Sequence, residues 1–226
     1  MANYFNLTLD TTGPANPSIF IESGATYTTQ QLVDCTIGTT DGDTTGYQMK
    51  IWGDVDTAYD VNIQDIETTS SWITFAGAKQ IQLAAGNGEK YLYLKIRDDV
   101  YNESGQGSDS IILNTTLPAV SITGPDAAKI SKITGKNVCS FSFRADCIFD
   151  EYKVKVVAGF GSVHDTGTLI PTSGGSINMS GADGGYPAAT PINCTIYGTD
   201  LETVSSGDGV KLIKLFVKDE SGQWSV

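Results

Sequence analysis

The sequence predicts an all-β protein made of two tandem β-sandwich domains, and three observations support this fold class. The chain is rich in Thr and Tyr, which suit a pleated sheet, and its 25 glycines suit tight turns. Several short segments alternate apolar and polar residues with period two, as strands with one buried face do. Finally, four segments of the first half recur in the second half, which indicates duplication of one domain.

The composition excludes several classes of protein. The 226 residues include 26 acidic and 14 basic side chains, which gives a net charge of −12, and only Arg97 and Arg144 are arginines. Such a chain lacks the cationic charge that nucleic acids or anionic membrane surfaces require of a partner. With 40% hydrophobic and 18% charged residues it is also too apolar to be disordered. We therefore expect no nucleic-acid partner and no membrane partner.

Four sequence blocks occur once in each half, in the same order. The pairs are Leu9–Pro14 with Leu113–Pro118, Val33–Ile37 with Val138–Phe143, Tyr47–Ile51 with Tyr152–Val156, and Leu92–Asp98 with Ile213–Asp219. A similar turn sequence follows the last block in each half, at Asn102–Gln106 and Asp219–Gln223. The repeat predicts one domain over residues 1–116 and a second over residues 117–226. A single large β-barrel or jelly roll is the alternative.

Each predicted domain has the size, the short strands and the frequent turns of an immunoglobulin-like sandwich. The fold class is therefore all-β, with two tandem immunoglobulin-like β-sandwich domains. The second domain differs between Gly159 and Gly209, where the chain is rich in Gly, Ser, Thr and Pro. This composition indicates long loops on the second sandwich.

The strand inventory differs between the two halves. In the first half the strand Ser108–Asn114 follows the turn, whereas the second half reaches Trp224–Val226 directly after its matching turn. The segment Tyr4–Leu9 leads into Asp-Thr-Thr-Gly-Pro as Ile111–Leu113 leads into Asn-Thr-Thr-Leu-Pro. One hypothesis is that this N-terminal strand, through Tyr4, Phe5, Leu7 and Leu9, adds to the second domain of a neighbouring copy or to another protein. The alternative is that it pairs within its own first domain.

The sequence offers no recognisable catalytic site. His164, the single histidine, lies in the Gly-flanked segment Phe160–Gly167, where Ser162 and Asp165 are too close along the chain to form a triad with it. Neither the Gly-x-Ser-x-Gly elbow nor a phosphate-binding glycine loop occurs. We therefore expect a protein that is not an enzyme, with His164 exposed in a loop.

Five aspartates form the one candidate metal site. Calcium takes six to eight oxygen ligands, which loops rich in Asp can supply. If the ends of the strands converge at one pole of the first domain, the ligands are Asp10, Asp54, Asp56, Asp98 and Asp99. The alternative is that these are ordinary solvated turn residues, and no other cofactor is expected.

The four cysteines, Cys35, Cys139, Cys147 and Cys194, do not have the close spacing of a zinc site. They are either buried free thiols, which behave as small apolar residues, or they include a disulfide between Cys147 and Cys194.

Three aromatic residues are predicted to form an exposed face. Tyr91 and Tyr93 alternate with the inward residues Leu92 and Leu94, and Trp52 points away from the Tyr47-Met49-Ile51 stripe. An exposed aromatic face suits binding of another protein or of a glycan. The alternative is that long loops or the partner domain cover it.

The first half resembles a known module at Leu9–Pro14, Tyr47–Ile51 and Tyr91–Asp98. These segments are similar to the linker and two strands of a bacterial-type immunoglobulin-like repeat found in tailed-phage virion proteins and bacterial surface proteins. The resemblance covers about residues 4–116, and the second half fits only at its strand blocks. The usual Ala-Gly-Asn turn is replaced by Asp99–Gly105. The resemblance implies a binding or spacer unit without catalysis.

The chain begins MANYFNLTLD, without the basic and apolar regions of a secretory signal. Together with the resemblance, this implies a virion protein made in the host cytoplasm, on the capsid surface, neck or tail of a tailed phage. The expected partners are other virion proteins and further copies of the chain, with the loops of the second half as a variable contact surface and a host-surface glycan as a further ligand. The alternative is a bacterial surface adhesin or carbohydrate-binding module.

Overall fold

The computed structural model describes residues 5–226, and the chain divides between Thr115 and Thr116 into two compact units. We call them unit 1 and unit 2, and each is nearly all-β. Within residues 5–226 no helix combines the length and the apolar character needed to cross a bilayer.

Unit 1 is a sandwich of two sheets. Its strands are β1 (Ser18–Ile21), β2 (Tyr27–Thr28), β3 (Leu32–Gly38), β4 (Gln48–Gly53), β5 (Ile73–Thr74), β6 (Ala78–Gln82), β7 (Gly88–Arg97) and β8 (Gly107–Leu113), with a 3-10 turn at Glu22–Gly24. One sheet has the order β1-β3-β6 and the other the order β2-β8-β7-β4-β5. All pairings are antiparallel except the parallel pair β2–β8.

The alternation of the sequence places the core of unit 1 between these sheets. Val33, Cys35 and Ile37 of β3 point inward and are buried, while the polar residues between them point outward. They pack in one cluster with Leu92, Leu94 and Ile96 of β7 from the opposite sheet. The inward prediction for these two segments is confirmed.

Unit 2 also has two sheets around one core. Its elements are β9 (Val120–Thr123), β10 (Val138–Ala145), β11 (Phe149–Val157), β12 (Thr168–Leu169), β13 (Ser180–Gly181), β14 (Ile192–Tyr197), α1 (Gly198–Val204) and β15 (Leu212–Asp219). One sheet has the order β14-β10-β9. In the other, β11 pairs with β12 and β13 and also with β15. Phe143 of β10, Cys194 of β14, and Val154 and Leu215 of the second sheet share one core cluster.

Strand β15 of unit 2 corresponds residue by residue to β7 of unit 1. After β7, the Asn102 N–H donates to Asp98 Oδ1 at 2.8 Å, and after β15 the Gln223 N–H donates to Asp219 Oδ1 at 2.9 Å. The next backbone bonds also match, because Ser104 N–H donates to the Ile96 carbonyl and Ser225 N–H to the Val217 carbonyl, both at 2.8 Å. The turn after β15 therefore corresponds to residues 98–102, and the predicted match with Asn102–Gln106 is wrong.

A second match made from the sequence is displaced by two residues. In β4 Met49 pairs with Ile96, and in β11 Tyr152 pairs with Val217. Since Ile96 and Val217 are equivalent, Tyr152 corresponds to Met49 and not to Tyr47. The displacement leaves each side chain on the same face of its strand, because the side-chain period of a strand is two.

Candidate functional site: an open strand edge beside an apolar groove

One edge of β15 is open over most of its length. Within residues 5–226, β15 forms a strand ladder with β11 alone, and its other edge is bridged only between Lys218 and Trp224. In unit 1 the equivalent edge of β7 is occupied by β8, from Leu94 opposite Gly107 to Gly88 opposite Leu113. Unpaired N–H and C=O groups along such an edge can accept another strand.

The open edge leaves β15 shorter at its start. Gly88 begins β7, and residues 88–91 pair only with β8. The equivalent residue in unit 2 is Gly209, yet β15 begins three positions later, at Leu212. The backbone before β15 nevertheless has the conformation found at the start of β7. The angle φ is 128° at Gly88 and 130° at Gly209. Lys211 Nζ donates to the Ser206 carbonyl, as Lys90 Nζ donates to the Ala85 carbonyl.

A half-open apolar groove of about 700 Å³ lies beside this edge. It is lined mainly by residues of the segment 125–130, which joins β9 to β10, by side chains of β9, β10 and β15, and by residues 209–211 before β15. The lining includes Ile122, Phe141, Leu215, Val210 and Lys211. In unit 1 the equivalent space is filled. Strand β8 contacts β1 and contributes Ile111 and Leu113 to the core, so the neighbouring side chains are shielded from water. We call the space in unit 2 the groove.

The exposure of the residues around the groove reflects this opening. Inward-facing Ile21 of β1 is 0% exposed, whereas Ile122 of β9, which faces the groove, is 52% exposed. Val210, just before β15, is 100% exposed. Leaving an isoleucine half in water forfeits part of the transfer free energy that burial would supply, about 25 cal/mol per Å². The groove is therefore a place where a further apolar segment would be stabilised.

One of the four cysteines, Cys139, lies in the groove. Cys139 lines it and is half-buried, and its thiol lies 3.6 Å from the Ala127 carbonyl. Burial raises the pKa of Cys139 above its ordinary value, with a smaller effect from Asp126. All four cysteines are free, so the Cys147–Cys194 disulfide is not formed. Cys35 and Cys194 are buried, and burial raises the pKa of each to about 12.

The predicted N-terminal strand is not formed within its own unit. Tyr4 lies outside the described residues, and the segment from Phe5 to Leu9 is not part of a sheet. The side chains of Phe5, Leu7 and Leu9 are 84%, 84% and 85% exposed. The physical reason is that the position matching this sequence in unit 1 is already filled by β8. We call residues 5–9 the arm.

The expected aromatic face is mostly covered. Trp52 is only 7% exposed. Gln64 of the loop 54–71 forms a bridge with Trp52 at the edge of β4, and Glu67 of the same loop pairs with Lys95 of β7 at 2.7 Å. Tyr93 is half-buried and stacks on Trp52 with ring centroids 5.7 Å apart, while Tyr91 is 41% exposed. The expectation of an exposed Trp52 is therefore wrong, and the alternative of a covering loop is what the structure has.

The predicted calcium ligands do not converge. Because β4 and β7 are antiparallel, the end of β4 near Asp54 lies beside Tyr91, whereas Asp98 follows the far end of β7. Six or seven residues of strand separate the two places, about 20 Å. Asp10 lies near Asp98, since Asn102 Nδ2 donates to both Asp98 Oδ2 and the Asp10 carbonyl. Across residues 5–226 the structure shows no group of three or more acidic, thiol or imidazole side chains placed to bind a metal.

The carboxylates serve as turn acceptors. Asp56 Oδ1 accepts the Ala58 N–H and Asp10 Oδ1 the Thr12 N–H, while Asp98 is buried and accepts the Val100 and Asn102 N–H groups. Asp99 lies against Gly46. These contacts are those of structural turn residues.

His164 is not an exposed loop residue. Its ring stacks on Trp224 with centroids 4.5 Å apart, and its Nε2 lies 2.9 Å from Asp165 Oδ1. The single histidine thus packs over the turn that follows β15, and sequence reasoning missed this role because the two residues are far apart in the chain.

The groove itself was not predicted from the sequence, although the unequal strand inventory of the two halves is the signal that points to it.

No known protein-family model matches the chain, and no curated protein does. Among solved structures, fibronectin(III)-like modules of Clostridium thermocellum CbhA align with a TM-score of 0.44 and 11% identity, over 92% of this chain and 89% of theirs. Chitinase ChiA74 from Bacillus thuringiensis aligns with a TM-score of 0.31 and 13% identity, over 92% of this chain and 30% of the chitinase chain.

Proposed function

We propose that this chain is a non-enzymatic structural protein that works by binding another polypeptide. The observation that carries the proposal is the open edge of β15 beside the apolar groove. A strand edge offers backbone donors and acceptors in a fixed repeat, and the groove accepts alternate apolar side chains. This combination suits an extended peptide better than a small molecule, because a peptide satisfies both the backbone groups and the apolar surface.

We further propose that both units are immunoglobulin-like domains of an accessory virion protein of a tailed phage, on the capsid surface, neck or tail. The support is the resemblance of residues 4–116 to virion and surface repeats, together with the acidic charge that disfavours nucleic acid and anionic membranes. The structural use of His164 and of the turn carboxylates supports a role without catalysis and without a bound metal.

For the alternative role, a bacterial surface adhesin or carbohydrate-binding module, the predicted aromatic face is the candidate glycan-binding surface. Of its three residues, Trp52 is buried and Tyr93 stacks on it, which leaves Tyr91 as the exposed ring. The groove therefore favours the assembly role over glycan binding.

Immunogold electron microscopy tests the virion role. Antibodies against the purified chain should label particles from cells that carry its gene at one fixed position, and particles from cells in which the gene is deleted serve as the control. Label on the bacterial envelope, with none on the particles, would contradict the proposal and favour the surface protein.

A further inference from the structure

We propose that the arm of one copy forms a β-strand along the open edge of β15 in a second copy. This inference rests on the proposed function, in that it names the polypeptide that the groove binds. The pairing places Leu9 opposite Gly209, Leu7 opposite Lys211 and Phe5 opposite Ile213. Leu7 and Leu9 then enter the groove as Ile111 and Leu113 enter the core of unit 1.

The register follows from two independent matches. Gly88 and Gly209 are equivalent on the accepting strand, as the common bonds and φ angles show. On the donated strand, the block Leu113–Pro118 matches Leu9–Pro14. Since Leu113 pairs with Gly88 in unit 1, Leu9 is placed opposite Gly209. No freedom in register remains once both matches are made.

The arm has the character of a strand without a sheet. Its apolar residues alternate with Asn6 and Thr8, so that one face of an extended strand is wholly apolar. All three apolar side chains are more than four-fifths exposed. The residues after the arm behave as their counterparts after β8 do, because Pro14 and Pro118 are both buried.

The position at which the arm joins unit 1 favours a second copy as the acceptor. Gly13 packs against Glu103, where a Cβ would collide with the Glu103 carbonyl oxygen, and Glu103 bridges to Arg97 at the end of β7. The connection to unit 2 leaves from Leu113, which lies opposite Gly88 at the start of β7. These two poles are about 30 Å apart along β7. The nine residues 5–13 span at most about 30 Å, so the arm reaches no further than the end of β7 at Gly88, where the chain leaves unit 1.

Strand donation between different surfaces is a heterologous contact. Each copy in the proposed arrangement offers an arm and accepts one, so the contact propagates as a chain of copies unless the geometry closes it into a ring.

Size-exclusion chromatography with light scattering, which measures the molar mass of the full chain in solution, tests the proposal with a matched pair of variants. Leu7→Ser/Leu9→Ser removes the apolar face of the arm and should leave the protein monomeric at concentrations where the wild type assembles. Asn6→Ser/Thr8→Ser makes the same replacement on the other face and should assemble as the wild type does. A wild type that stays monomeric, or a loss of assembly in both variants alike, would overturn the proposal.

A mixing experiment distinguishes donation to a second copy from folding back within one chain. The variant lacking residues 2–10 has a groove but no arm, and Ile122→Glu has an arm but a blocked groove. Each alone should be monomeric, and together they should form a 1:1 complex of twice the monomer mass. If each remains a monomer in the mixture, the arm is not shared between copies. Ile133→Glu, at an exposed isoleucine outside the groove, should assemble normally.

Since a glutamate at position 122 can prevent folding, access to the groove is also tested without a substitution, by labelling Cys139 with a bulky maleimide. A peptide of residues 2–13, added to the variant lacking residues 2–10, should slow labelling of Cys139 but not of Cys147, which lies outside the groove. Equal labelling of both with and without peptide counts against the proposal. These assays use purified protein alone, so they can fail while particles are still labelled by antibody, and the reverse.

Discussion

The two units place the same strand in two different situations. In unit 1 the long strand β7 lies between β4 and β8, and every inward residue from Leu92 to Ile96 is closed off from water. In unit 2 the equivalent β15 has the same turn, the same glycine and the same lysine contact, yet its outer edge faces the groove. The difference lies at this edge, because β8 pairs with β7 in unit 1 and residues 5–226 place no equivalent strand beside β15 in unit 2.

The largest effect is expected where the strand is already in place. Leu113→Ala should destabilise unit 1 by about 2–5 kcal/mol, because it leaves a cavity in a closed core. Leu9→Ala, at the matching position of the arm, should change the unfolding free energy of the dilute monomer by less than about 0.5 kcal/mol. Urea denaturation at low protein concentration measures both. Equal destabilisation by the two variants would break the comparison.

The shared turn should matter equally in both units. Asp98 and Asp219 are both buried and both accept the N–H four residues later. Asp98→Ala and Asp219→Ala should each lower the unfolding free energy by about 2–3 kcal/mol, since part-buried N–H groups lose a charged acceptor. Calorimetry of the two variants checks this. A large loss for one and none for the other would show that the turns are not equivalent.

Unit 2 should also contain a contact, at Asp200, whose contribution to stability depends on pH. This contact is not among the features that the two units share. Asp200 is buried, which by itself opposes ionisation, but hydrogen bonds from Ser176 and Gly174 outweigh this and keep the pKa of Asp200 below its ordinary value. Its stabilising contribution is therefore fully present above the pKa of the unfolded state, about 4, and is lost as the pH falls through the lower folded pKa.

Asp200→Asn should lower stability at pH 7 by about 1–2 kcal/mol and reduce the loss of stability below about pH 4. Thermal denaturation between pH 2 and pH 7 measures this dependence, with Asp65→Asn, at an exposed aspartate outside the proposed contact, as the control. An unchanged pH profile in Asp200→Asn would contradict the assignment.

The smallest effect concerns the end of the donated strand. In unit 1, Asn87 Nδ2 donates to Asn114 Oδ1 at 3.0 Å. The matching residues of the proposed contact are Asp208 and Asp10, so the amide donor of Asn87 has no counterpart there. Asp208→Asn should restore a donor and tighten assembly by a factor of about 2–10, the net effect of one ordinary solvent-exposed hydrogen bond. Sedimentation equilibrium measures this. Weaker assembly of the variant would contradict the register.

The sequence predicted most of the fold because period-two alternation and internal repetition are local signals. The inward residues of β3 and β7 follow directly from alternation. It misplaced Tyr152 by two residues because both registers put the same residues inward, and only the pairing with β15 separates them. The sequence comparison matched the turn after β15 to Asn102–Gln106 because the residue types are similar there. The equivalent hydrogen bonds of unit 1 start at Asp98.

The site was harder to predict, since it depends on what covers each surface. Alternation correctly predicts that Trp52 points away from the core of the sandwich, but no local pattern shows that the loop 54–71 pairs with it through Gln64. The calcium prediction failed because antiparallel pairing sends Asp54 and Asp98 to opposite ends of β7. The unequal strand count of the halves did point to the arm, because it compares the whole of one half with the other.

Hydrogen exchange measured residue by residue tests the central claim most directly. In the assembled wild type, amides of residues 209–211 should be as protected as those of residues 88–90, which pair with β8 alone in unit 1. In the variant lacking residues 2–10, protection should disappear at residues 209–211 and remain at residues 88–90. Equal exchange of residues 209–211 in the two proteins would show that the arm does not complete unit 2.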